Sequence, residues 1–172
     1  IGLQIANKPD SQDICFVSDD DYASFIEEES DQKIPEGNFV TPDGKILGRH
    51  KGIIHYTIGQ RKGLGLSLGY PAFVLEIRPD TNEVVIGTNE DLMTTRVRAN
   101  KLNFMTVEDL EGEMRVFAKI RYNHKGDWCT VRKTGEDEIE CIFETPQRAV
   151  TPGQALVLYD GDYVLGGGTI LG

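Results

Sequence analysis

Alternation of hydrophobic and polar residues runs through most of the chain and predicts short β-strands. In the clearest run, residues on one face alternate with residues on the other, as in a half-buried strand: Val116, Ala118 and Ile120 against Phe117, Lys119 and Arg121. From about residue 99 onward, six such runs follow one another at the spacing typical of a sandwich or barrel: 101–104, 114–122, 128–134, 138–143, 155–159 and 163–170. This half of the chain therefore predicts a β-barrel.

The preceding half predicts one short helix followed by more strands. Ser18 is a suitable helix cap, and Tyr22, Phe25 and Ile26 then fall on one helical face before the polar end at residues 27–31. Strand-like runs follow at 38–41, 45–48, 53–58, 72–78 and 83–87, with a glycine-rich loop at 59–69. We expect a mainly β fold with one short helix, divided into a linker at 1–18, a central β-rich domain at 19–98 and a barrel at 99–172.

Charge is unevenly distributed along the chain. The net charge of −10 over 172 residues argues against a generic nucleic-acid binder. Eight acids and one base lie in residues 19–36, whereas residues 44–68 hold five bases and no acid, and residues 115–133 hold six bases and one acid. Because phosphates respond to the local potential, two basic surfaces remain compatible with RNA. The alternative is that both segments are solvated faces of mixed charge.

Cysteine use and hydropathy indicate a cytoplasmic protein without a membrane span. No apolar run approaches the roughly 20 residues needed to cross a bilayer, and we recognise no signal peptide. The three cysteines form no C-x-x-C pair and no zinc pattern with the three histidines, so we expect free thiols and no metal site. Because the first residue is not Met, we expect a fragment of a longer protein.

Cys15 is the candidate reactive residue. It follows the polar turn Pro9-Asp10-Ser11, where a thiolate is accessible, although a small buried hydrophobe beside Ile14 and Phe16 is the competing interpretation. Cys129 and Cys141 lie within strand patterns and are expected to pack in the core.

Three other segments carry residues suited to RNA. The glycine segment around Arg61 and Lys62 lets backbone and cations approach phosphate, but it has neither the Walker nor the Rossmann spacing, and a basic structural turn explains it equally well. Arg121 and Tyr122 suit a phosphate clamp and a base-stacking ring, or an ordinary strand end. Gln154, in a turn before a strand, either reads a base edge or satisfies backbone groups.

Six strings, in order and over nearly the whole chain, resemble the tRNA-specific 2-thiouridylase family. They are KPDSQDICF at 8–16, GRHKG at 48–52, YTIGQRKGLG at 56–65, KIRY at 119–122, VTPGQ at 150–154 and LGGG at 165–168. The resemblance implies that Cys15 carries sulfur as a persulfide and that Arg121, Tyr122 and Gln154 contact tRNA. Arg61 and Lys62 are weaker candidates for RNA contact.

The same resemblance implies the partners and the rest of the fold. The enzymes of this family transfer sulfur to C2 of the wobble uridine in tRNAs for Lys, Glu and Gln, using ATP and magnesium in an N-terminal domain and sulfur from a donor protein. Their C-terminal barrel is similar to a domain of elongation factor Tu. The chain shows no nucleotide-binding motif and no partner cysteine before Cys15, so we expect no cofactor in it and no thiolation by it alone.

Two alternatives remain open at this point. One is a non-catalytic RNA-binding β-barrel module in which Cys15 is incidental, and the other is a redox or sulfur-carrier protein that binds no RNA. A methyltransferase is not indicated, because no glycine-rich S-adenosylmethionine site is recognisable in the sequence.

Overall fold

The computed structural model describes Ile26 and residues 34–172, and it confirms a mainly β protein. The strands are β1 (Gly37–Val40), β2 (Ile46–His50), β3 (Phe73–Arg78), β4 (Glu83–Gly87), β5 (Met93–Phe104), β6 (Glu113–Lys119), β7 (Asp127–Gly135), β8 (Glu138–Arg148), β9 (Ala155–Asp160) and β10 (Tyr163–Ile170). Two short 3-10 helices cover Ile53–His55 and Glu90–Leu92. The helix predicted near residues 19–31 lies outside the described residues except for Ile26, which is helical.

The first four strands form a small sheet in the order β2-β1-β4-β3. The pairs β1–β2 and β3–β4 are antiparallel, whereas β1 and β4 run parallel. Phe39, Val74, Val84 and Ile86 alternate onto one face of this sheet and fill its core. The glycine loop covers that core, because Leu64 is buried there and Leu66 and Leu68 pack against it. The loop is therefore held in place by its leucines.

The other six strands close into an antiparallel barrel in the order β10-β5-β8-β7-β6-β9. Val116 and Ala118 of β6 point inward and are buried, while the side chains between them face outward, as their alternation predicts. Closure depends on the glycines of β10. A Cβ added at Gly167 would lie 2.1 Å from the carbonyl oxygen of Leu156, so only glycine lets β10 approach β9 this closely.

The strand predicted at 53–58 is wrong. Ile53–His55 form a 3-10 helix, and Tyr56 closes it by donating its backbone N–H to the carbonyl of Ile53. The buried ring of Tyr56 makes edge contacts with Phe39 and His50 at centroid distances of 5.1 and 5.6 Å. These tertiary contacts override the strand preference of the β-branched residues in the segment.

Strand β5 is longer than the predicted run at 101–104. It begins at Met93 and contains a residue in the left-handed region, Lys101, with φ of 52°. The carboxylate of Asp137 holds this bend by accepting the backbone N–H groups of Lys101 and Leu102 at 3.1 and 2.7 Å. The predicted division between residues 98 and 99 falls inside β5, all of which belongs to the barrel sheet.

Among the described residues, the structure contains no helix of the length and apolar character that a bilayer crossing requires.

Candidate nucleic-acid interface

Arg121 and Tyr122 lie on a tight turn that follows β6. Ile120 is buried in the barrel core and anchors the start of the turn, and the N–H of His124 donates to the carbonyl of Arg121 at 3.1 Å to close it. Both predicted residues face outward, and Tyr122 is 69% exposed. The Nη1 group of Arg121 donates to the carbonyl of Arg148 at 3.2 Å, which directs the guanidinium along the barrel end.

The turn borders a cavity of about 500 Å³ on the outside of the barrel. Its lining residues are Lys119, Arg121, Tyr122, Ala155, Val157 and Tyr159. Pairing of β6 with β9 explains this composition, since it sets Lys119 opposite Val157 and Phe117 opposite Tyr159. The cavity therefore combines two cations and two aromatic rings on an apolar floor.

Gln154 lies at the same end of the barrel. It is exposed and immediately precedes Ala155, the first residue of β9 and part of the cavity lining. Its backbone is fixed on both sides, because its N–H donates to Thr151 at 3.3 Å and its carbonyl accepts from Ile170 at 2.8 Å. The structure thus brings together Arg121, Tyr122 and Gln154, which lie up to 33 positions apart in the chain.

The two cations of the cavity have no acidic partner in the part of the chain that the structure describes. Within residues 34–172, neither Lys119 nor Arg121 lies within salt-bridge distance of a carboxylate, whereas other barrel cations are paired. For example, Arg98 contacts Glu138 at 2.6 Å and Arg115 contacts Glu144 at 2.7 Å. An unpaired cation keeps its full charge for a phosphate, since it has no competing anion to release.

A partly buried polar network lies next to the Arg121–Tyr122 turn, and the sequence analysis did not predict it. The amide nitrogen of Gln147, a residue only 4% exposed, donates to the Asp127 carboxylate at 3.1 Å and to the Thr145 carbonyl at 2.8 Å. The ring of His124 lies at the end of the turn, and its buried Nδ1 has no hydrogen-bond partner among the described residues. Burial, followed by the nearby charge of Arg121, lowers the pKa of His124 below its ordinary value of 6.5, so the ring is held neutral.

The glycine loop presents the weaker candidates Arg61 and Lys62, both of which are exposed. Gln60 braces the loop, because its side-chain oxygen accepts the N–H of Thr57 at 2.9 Å and its amide donates to the carbonyl of Lys62 at 3.0 Å. Gly59, with φ of 86°, donates its N–H to Val74 at 2.8 Å and so ties the loop to β3. The loop is a supported turn that displays two cations.

Arg148 connects this loop with the Arg121 turn, and no sequence signal singled it out. Its Nε donates to Asn89 at 3.0 Å, its Nη2 reaches the carbonyl of Gly59 at 3.5 Å, and its guanidinium lies 5.2 Å from the ring centroid of Phe73. Its own carbonyl accepts from Arg121. One residue therefore touches both basic segments, so the small sheet and the barrel meet beside the candidate interface.

The cysteines divide as predicted where the structure describes them. Cys129 and Cys141 are unpaired by disulfide and fully buried on the adjacent strands β7 and β8, which confirms their packing in the core. Hydrogen bonding with Cys129, followed by burial, raises the pKa of Cys141, so this thiol stays protonated. Cys15 lies outside the described residues, and its role stays a prediction.

Comparison with known proteins agrees with the two-part architecture. The family model described as "tRNA methyl transferase PRC-barrel domain" matches residues 23–88, and the one described as "Aminomethyltransferase beta-barrel domain" matches residues 94–170. A protein of Lachnoclostridium phytofermentans named tRNA-specific 2-thiouridylase MnmA is 68% identical over 99% of this chain and 48% of its own length. A protein of the same name from Clostridioides difficile is 51% identical over 99% of this chain and 47% of its own length.

The chain belongs to the tRNA-specific 2-thiouridylase family. It spans about half the length of the curated relatives it matches. The descriptions of the two family models mention methyl transfer. The two relatives are named for thiolation, and their alignments cover 99% of this chain. The candidate interface of this family member consists of the cavity, the Arg121–Tyr122 turn and Gln154.

Proposed function

We propose that this chain is the part of a tRNA 2-thiouridylase that holds tRNA on its barrel and carries sulfur on Cys15. The longer protein would transfer sulfur to C2 of the wobble uridine in tRNAs for Lys, Glu and Gln, in the cytoplasm and with a protein as sulfur donor. One observation carries the proposal. Arg121 and Tyr122, selected by family resemblance, line one cavity whose two cations have no carboxylate partner among residues 34–172, and Gln154, selected in the same way, immediately precedes the lining residue Ala155.

The chemistry assigned to Cys15 is sulfur delivery. As a persulfide, its terminal sulfur forms the new bond to C2 while the activated 2-oxygen departs with its leaving group. A second thiol then attacks the Sγ of Cys15, which breaks the S–S bond, releases the thiouridine and leaves a disulfide. Cys129 and Cys141 do not suit the second role because both are buried in the barrel core. That thiol has to come from elsewhere in the longer protein.

ATP and magnesium, which the family resemblance implies for the longer protein, do not fit the described residues. The glycine loop leads into strand β3, and among residues 34–172 no helix N-terminus follows it to cradle a phosphate chain. In the same residues, no cluster of three or more His, Cys, Asp or Glu side chains is arranged to hold a metal ion. We therefore assign the activation of uridine to other residues of the longer protein.

The test separates sulfur transfer from tRNA holding. In the longer protein, Cys15→Ser should abolish 2-thiouridine formation, measured by nucleoside mass spectrometry, and leave tRNA affinity unchanged. The matched control Cys129→Ala should retain product formation, because this thiol is buried and unreactive. Full activity of Cys15→Ser would refute the carrier role, and a chain with no salt-dependent tRNA binding would refute the holding role.

A further inference from the structure

The cavity beside the Arg121 turn contains two residues to which the family resemblance assigns no role. These are Lys119, at the end of β6, and Tyr159, on β9. Tyr159 is half-buried, its backbone is held by strand pairing opposite Phe117, and it forms part of the cavity wall. Tyr122 borders the same cavity from the turn and is largely exposed. Two tyrosines and two cations thus surround one concave site.

We infer that this cavity binds one unstacked nucleotide of the tRNA, with the base against the tyrosines and the phosphate at Lys119 and Arg121. The inference rests on the proposed tRNA binding and specifies where a single-stranded part of the RNA is held. A volume of about 500 Å³ lies within the range of small-molecule sites and accommodates one nucleotide. Bases taken out of a stack regain stacking energy on aromatic side chains.

The position of Lys119 supports a phosphate at the cavity wall. Its ammonium lies 5.9 Å from the ring centroid of Tyr159, at the outer limit of a cation–π contact. Such a contact orients the ammonium without binding it tightly, and no carboxylate within residues 34–172 competes for it. Lys119 and Arg121 are therefore both available to one phosphate group.

The lining also argues against two other occupants. Among the described residues it contains no acidic side chain, which disfavours a cationic peptide, and its concave apolar floor of Ala155 and Val157 has no use in binding a duplex backbone. A duplex would contact the cations through its phosphates, but its paired bases could not stack on the tyrosine rings. A single-stranded nucleotide uses both kinds of group.

The experiment compares single-stranded and duplex RNA on the 172-residue chain. The probe is a short oligoribonucleotide containing 2-aminopurine, whose fluorescence is quenched when it stacks, and the comparison is the same sequence annealed to its complement. Tyr159→Ala should weaken binding of the single strand by about 5- to 150-fold and reduce quenching at saturation, with duplex binding and salt slope unchanged. Tyr159→Phe should retain both affinity and quenching, because the ring is kept.

Lys119→Ala should make the plot of log affinity against log salt concentration less steep by about 0.7 for the single strand. Quenching at saturation should persist. The matched controls are Tyr163→Ala, an exposed tyrosine outside the lining, and Lys101→Asn, which removes an exposed cation of β5 at a left-handed backbone position that asparagine tolerates. Both should bind like wild type apart from small general charge effects. If Tyr159→Ala is unstable by thermal unfolding, Ala155→Leu fills the cavity from an exposed position and should weaken single-strand binding.

Equal behaviour of the Tyr159→Ala and Tyr163→Ala variants on single-stranded RNA would overturn the nucleotide site. If wild type still bound tRNA with a salt dependence, the proposed tRNA-holding function would survive that result. Loss of all RNA binding by wild type would instead overturn both. In the Ala155→Leu variant, unchanged affinity and quenching would likewise overturn the nucleotide site.

Discussion

Removal of the Arg121 guanidinium should reduce the electrostatic part of tRNA binding by about one phosphate contact. In the free protein this group has only a neutral partner, the carbonyl of Arg148 at 3.2 Å, and no carboxylate among the described residues. Arg121→Ala therefore removes a charge available to phosphate. The steepness of the log–log salt dependence should fall by about 0.7 for a single-stranded contact or 0.9 for a duplex contact.

This change in slope can be read as a ratio of affinities. Between about 50 and 200 mM salt, the affinity ratio of wild type to Arg121→Ala should shrink about threefold, because one fewer counterion is released. The loss should be equal for all tRNAs, since a phosphate contact carries no sequence information. The assay is a salt titration of fluorescently labelled tRNA.

Arg98→Ala is the matched control for this titration. Arg98 is also an exposed barrel arginine, but it lies on β5, which is across the six-stranded barrel from β6, and it is paired with Glu138. Its removal should leave the salt slope unchanged. If Arg121→Ala keeps the wild-type slope, or if Arg98→Ala loses as much, the phosphate contact assigned to Arg121 is wrong.

Three further predictions concern reactivity and stability. Cys15 should react with a thiol reagent faster than Cys129 or Cys141 in the native chain, because both others are buried, and peptide mass spectrometry that finds Cys15 labelled last would contradict its exposure. His50 accepts the N–H of Gly52 on Nδ1, and burial lowers its pKa below 6.5, so the unfolded chain takes up more protons and the free energy of unfolding should fall as pH drops below 6.5. Denaturant titrations at several pH values measure this dependence. The His50→Gln variant should show a weaker pH dependence, but not a complete loss of it, because the pKa of His124 is also lowered. Leu158→Ala, in the fully buried barrel core, should cost about 2–5 kcal/mol of unfolding free energy, and a loss below about 1 kcal/mol would mean that the core collapses around the vacancy.

The sequence by itself determined the β architecture and the chemistry of the surface. Alternation placed the barrel strands, and the strands at Glu83–Gly87 and Tyr163–Ile170 have the bounds that the pattern predicts. The sequence also identified the basic run that contains Lys119 and Arg121, because the local density of charged residues can be counted without knowing the fold. Residues that face one core repeat every second position in a strand, and that periodicity is a property of the chain alone.

Only the tertiary structure decided which distant residues form the interface. Register between β6 and β9 sets Lys119 beside Tyr159, and the meeting of sheet and barrel places Arg148 against the glycine loop. Likewise, the segment at 53–58 has a strand-like composition, yet burial of Tyr56 against the small sheet makes it a 3-10 turn. Strand register, closure and long-range packing depend on contacts between segments far apart in the chain, which local preference does not encode.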